Sequence, residues 1–174
     1  MSSLAHVRAL AEEYARQYNP ESVAPFPYEN VVGIGKDLEV FFTHLEDNAM
    51  SGATIYRDGK FTILINTNKP ETRQHFTLGH ELGHYFLHKD VLKHEKVIVD
   101  GETDGPNMLY RMDNGQATQL EVEANNFAAS LLMPADLVYK AWEATHNIED
   151  CARIFKVSVI AMSLRLIQLK LVSE

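Results

Sequence analysis

The fold turns on one stretch, Phe76-Thr77-Leu78-Gly79-His80-Glu81-Leu82-Gly83-His84-Tyr85-Phe86-Leu87-His88. At about 100° per residue, His80, Arg73, His84, Thr77, His88 and Glu81 share a sector of a helical wheel roughly 100° wide. Phe76, Leu78, Gly79, Leu82, Gly83, Tyr85, Phe86 and Leu87 cover most of the rest, with His75 the exception. The spacing predicts a buried helix with one polar wedge. Burying such a wedge is costly unless a partner such as a metal satisfies it. His80 and His84 stand one turn apart on one face, so two imidazoles can converge on one zinc ion. Glu81, beside the first histidine, then reaches a water on that ion and can take its proton. The alternative is a pair of hydrogen-bonded core histidines. Gly79 and Gly83 each cost about 1 kcal/mol in a helix interior relative to Ala. Four apart, they make a smooth strip that another element can approach closely.

Two histidines and a water leave tetrahedral zinc one ligand short. His88 lies eight residues after His80, about 12 Å along the axis, too far to share an ion on a straight helix. It suits a helix cap, a residue that orients a neighbour, or a lining of the cleft. His75 and His94 lack the geometry. A better candidate is Glu121, on a helix expected over residues 117–133. Leu120, Ala124, Phe127, Ala128, Leu131 and Leu132 cluster on its side of the wheel, while Glu123, Asn126 and Ser130 fall opposite, toward solvent. An inward Glu121 needs a partner, either zinc or a buried arginine such as Arg73. Asn125, one turn on, can hydrogen-bond a ligand from behind.

Upstream, Asp58-Gly59 is a strong hairpin signal between expected strands 53–56 and 61–65. With a strand over 38–45, these predict a small antiparallel sheet. Strand 61–66 is expected at an exposed edge, where an extended substrate can pair with it through the main chain. A helix over 4–18 ends at Asn19-Pro20, and Pro70 suits the first position of the motif helix. Residues 89–116 read as a long polar loop, of a kind that is often functional or mobile. Helices are expected over 135–145, 148–155 and 158–169. The order gives an α+β class and one domain over 1–174. Within it lie a helix and sheet over 1–68, the two site helices over 70–133, and a C-terminal helical bundle over 135–172.

At 174 residues the chain can bury about 70% of its unfolded surface. A net charge of −8 argues against non-specific nucleic-acid binding, which relies on a cationic surface. Residues 148–169 have a helix-turn-helix outline, but residues 147–174 carry four basic and three acidic side chains, so packing is the expected role. The single Cys151 excludes an internal disulfide and is expected to be buried in a helix. No apolar run approaches the roughly 20 residues of a membrane span, and no signal peptide is visible. A cytoplasmic protein with no membrane partner is expected.

The motif stretch and Glu121-Val122-Glu123-Ala124-Asn125-Asn126-Phe127-Ala128-Ala129-Ser130-Leu131-Leu132-Met133-Pro134 together resemble the ImmA/IrrE family of zinc metallopeptidases. Ile63-Leu64-Ile65-Asn66 before the first helix fits as well, as do Phe155-Lys156-Val157-Ser158 and Arg165-Leu166. The resemblance implies a zincin-like, gluzincin-type domain holding one zinc ion per chain. His80, His84 and Glu121 would ligate it, and Glu81 would be the catalytic base. It implies a cytoplasmic endopeptidase whose protein substrate is a helix-turn-helix repressor of the lambda type, cleaved to relieve repression. A protease toxin restrained by an antitoxin, or an inert zincin-like binding module, are the alternatives. For the oxyanion donor, Tyr110, Arg111 and His88 stay open.

Overall fold

The computed structural model describes residues 3–31, 34–47, 49–95, 97–101, 112–113 and 116–173, with the backbone alone at 95, 97–101, 112–113 and 116–117. Helix α1 (Leu4–Tyr18) starts at Ser3, whose Oγ accepts from His6 N, and stops at Asn19. After a single 3-10 turn (Tyr28–Val31) come β1 (Leu38–Thr43), β2 (Met50–Arg57) and β3 (Lys60–Asn66). Next are α2 (Glu71–Leu87), α3 (Lys89–Glu95) and β4 (Val97–Gly101), then a small ribbon of β5 (Met112–Asp113) and β6 (Gln116–Ala117). Helices α4 (Gln119–Leu132), α5 (Ala135–Thr145), α6 (Ile148–Phe155) and α7 (Val159–Gln168) complete the chain. The class is α+β.

The sheet runs β1-β3-β2-β4. Asp58 and Gly59 take φ of 51° and 83°, the two positive values a type I′ hairpin requires. The expected all-antiparallel sheet is corrected here. β3 pairs antiparallel with β2 but parallel with β1, from Leu38↔Phe61 to Thr43↔Asn66. The chain reverses after β1 and again after β2, so β3 runs the way β1 does and slots beside it. The expected edge position of residues 61–66 is overturned by the same pairing. β3 is bonded on both sides, and its fully buried Phe61, Ile63 and Ile65 suit a central strand.

Nor is the stretch after His88 a plain loop. Leu92, fully buried, anchors α3, and the β-branched run Val97-Ile98-Val99 adds β4 to β2. Pro70 stands one residue outside α2, at its N-cap.

Helix α2 is enclosed by β2 and β3 on one side and α4 on the other, which is why its sequence is apolar nearly all round. The glycine strip lets α4 press in. A Cβ on Gly83 would sit 3.0 Å from Ala124 Cα and O, and one on Gly79 3.3 Å from Ala128 Cα. Helix α1 covers α4, its Tyr14 stacking on Phe86 at 4.0 Å and meeting Phe127 at 6.0 Å. Helices α5, α6 and α7 pack in succession, burying Cys151, Phe155, Met162 and Leu166. Arg165 on α7 is buried and donates to Ser130 Oγ and Met133 O on the α4 side and to Glu12 on α1.

Candidate metal centre

Helix α2 places the His80 and His84 rings one above the other, and α4 brings Glu121 to face both. Thr118 caps α4 by accepting from Glu121 N at 3.3 Å, which fixes where that carboxylate begins. His80 Nε2 lies 3.0 Å from His84 Nε2 and 3.2 Å from Glu121 Oε2, and His84 Nε2 lies 3.4 Å from Glu121 Oε1. All three residues are buried. A tetrahedral zinc site with bonds of about 2.0–2.1 Å has ligand–ligand edges of about 3.3–3.4 Å, so the triangle is close to that size.

The electrostatics agree. Burial pushes the His84 imidazole down to about 4, so it is neutral. Burial pushes Glu121 up, but its close contacts with the His80 and His84 rings outweigh this and hold the carboxyl below its ordinary range. Two nitrogen donors and one anionic oxygen within 4.8 Å of one another can hold a divalent metal.

Glu81 is fully buried on the same helix, and Thr54 Oγ1 on β2 donates a close hydrogen bond to its Oε2. Asn125 lies where the wheel places it, its Oδ1 2.9 Å from His80 Nδ1. Arg73 donates from Nε to Ser51 Oγ at 3.0 Å, while Glu121 meets the two histidines. His75 packs under Tyr28 at 5.0 Å, and His94 is turned to Asp90 O; neither joins the centre. Tyr110 and Arg111 lie outside the described residues.

Glu123 is where the sequence reading fails. It is 7% exposed, not solvated, and its Oε2 is 3.0 Å from His88 Nε2. Gln119 Nε2 donates to its Oε1 at 2.8 Å. His88 Nδ1 in turn lies 3.1 Å from His84 Nδ1. The cause is the choice of centre for the wheel. Ala124, Phe127, Ala128 and Leu131 average about 290° when Glu121 is set at 0°, so Glu121 and Glu123 flank one apolar stripe from opposite sides. Ser130, also expected outward, is fully buried under Arg165. Centring the wheel on the apolar residues recovers Glu123. Nothing in a strand pattern singles out Thr54.

The family profile described as the IrrE N-terminal-like domain of the M78 peptidases matches residues 36–166. The chain belongs to the M78 peptidase family. This M78 domain also shares its fold with a solved Mycobacterium tuberculosis transcriptional regulator, at a TM-score of 0.59 and 16% identity over 92% of the chain. The chain spans about half of that neighbour, 46% of its length. No curated protein matches the chain. Membership points to a metal-dependent peptidase, and the buried His80, His84 and Glu121 group is where this M78 domain can hold the metal. Among the described residues, no helix is long and apolar enough to cross a membrane.

Proposed function

We propose that the chain is a zinc-dependent endopeptidase of the zincin type, one zinc per chain, with His80, His84 and Glu121 as ligands and Glu81 as catalytic base. The observation that carries this reading is the convergence of those three buried donors beside a buried glutamate on the same helix. When bound, zinc supplies Lewis acidity, lowering the pKa of a coordinated water and polarising a carbonyl oxygen. Glu81 takes the water's proton and passes it to the leaving amine. Thr54 holds one Glu81 oxygen so that the carboxylate keeps one orientation. Asn125 fixes the His80 ring from its Nδ1 side.

The substrate is a cytoplasmic helix-turn-helix regulator of the lambda-repressor type. This extends the family resemblance of the two motifs. Metal content of the wild type and Glu121→Ala, purified without added metal, tests the ligand set. Near one zinc per wild-type chain with loss in the variant is expected; no zinc in the wild type after reconstitution sinks the reading. Glu81→Gln is expected to keep its zinc and lose hydrolysis of such a regulator. A variant that cleaves at the wild-type rate would remove Glu81 from its role.

A further inference from the structure

The line Gln119–Glu123–His88–His84 runs from the exposed Gln119 into the interior, to one member of the centre, and a zincin needs no third histidine or second acid there. Each link is within hydrogen-bond distance: 2.8 Å from Gln119 Nε2 to Glu123 Oε1, 3.0 Å from Glu123 Oε2 to His88 Nε2, and 3.1 Å from His88 Nδ1 to His84 Nδ1. Burial argues that the line is built. His84 is fully buried, and His88 and Glu123 are 6% and 7% exposed.

The acceptors decide the protons. A carboxylate only accepts, so the His88 proton toward Glu123 must sit on Nε2. A metal ligand presents a lone pair, so on the zinc reading the His84 proton sits on Nδ1, and the short contact makes the facing His88 Nδ1 its acceptor. The same logic holds at His80, whose Nδ1 faces the acceptor Oδ1 of Asn125 at 2.9 Å. Both Nε2 atoms, 3.0 Å apart, then present lone pairs to the same point.

We propose that His88 and Glu123 form a positioning relay that fixes His84 in its Nδ1–H tautomer and makes its Nε2 a stronger metal donor. His84 is thus oriented by an imidazole that is itself oriented by a carboxylate. This rests on the zinc reading above and adds to it two residues that touch neither metal nor substrate. The relay draws on both site helices, His84 and His88 from the end of α2 and Gln119 and Glu123 from the start of α4.

Zinc affinity, measured by competition with a chromophoric chelator at neutral pH, tests the relay on the full chain. His88→Phe removes the acceptor at similar volume, and Glu123→Ala removes the carboxylate. Each is expected to weaken zinc about 10–100-fold, the usual cost of losing such an outer partner. The isosteric Glu123→Gln keeps an acceptor oxygen without the charge and should fall between wild type and Glu123→Ala, a grading that packing alone does not produce. In the zinc-loaded wild type, nitrogen NMR of the rings should show His88 protonated on Nε2 and bare on Nδ1. Wild-type affinity in His88→Phe and Glu123→Gln, or His88 protonated on Nδ1, overturns the relay while leaving the zinc site standing. A wild type that binds no zinc overturns both.

Discussion

At the scale of single residues, the centre is set by what stands behind its atoms. Glu81 is a base only if its carboxylate keeps one orientation in an apolar interior, and Thr54 reaches it from a different element. Thr54→Val removes the hydroxyl at equal size. Hydrogen bonds to charged groups are worth about 1.5–3 kcal/mol, so kcat on a helix-turn-helix regulator should fall about tenfold or more. Zinc content should not change. Weaker zinc binding, with kcat intact once the site is saturated with zinc, would assign Thr54 to the metal rather than to the base. His80, Glu81 and His84 are legible in the sequence because a helix repeats on one face every three to four residues, and the chemistry depends on that repeat. Glu123 is not, because measured from Glu121 it falls on the far side of the helix, and only measured from the apolar stripe does it turn inward. Thr54 was not, because a strand's alternation says which face a residue takes and not what lies across from it.

At the scale of elements, the longer helices were legible almost to the residue. Residues 4–18, 135–145 and 148–155 begin and end in the structure where their periodicity and stop signals place them. The β2–β3 hairpin was legible through Asp58-Gly59. The parallel partnership of β1 and β3 was not, since period two fixes a strand's faces but not its neighbour or their relative direction. Short elements such as α3 and β4 hid in a polar stretch because seven and five residues carry too few repeats to show a period. The α2–α4 contact makes a sharper prediction. Gly83→Ala gains about 1 kcal/mol of helix propensity, yet the new Cβ meets the Ala124 backbone at 3.0 Å, where nothing flexible can yield. The net should be a loss of about 1–3 kcal/mol in chemical unfolding, as for overpacking elsewhere. Zinc affinity should drop as well, because the displaced helix carries Glu121. Gly79→Ala, at 3.3 Å, should cost less. A stabilised Gly83→Ala would show that α4 is free to shift.

For the whole molecule, Arg165 ties the last helix to the first. It joins Glu12 on α1, Ser130 on α4 and Met133 O beyond it, while 3% exposed. Arg165→Met leaves those acceptors without a donor, and Glu12 is only partly screened by solvent. Unfolding in urea should show a loss of about 2 kcal/mol with zinc content unchanged. An unaltered midpoint would mean the bundle holds by apolar packing alone. The α+β outline followed from the order of periods along the chain, but this long-range tie did not, since a lone arginine in a helix reads as solvated. The ligand set has a consequence for the lifetime of the protein. His84 and Glu121 lie on either side of the segment that carries α3, β4 and the small ribbon, so an ion held between them clasps two distant parts of the chain. Binding only the folded form, it adds stability by mass action, about 2.7 kcal/mol when free zinc is a hundredfold above Kd. On the proposed zinc reading, a cell short of zinc would hold less of the protein, because a looser chain is cleared faster.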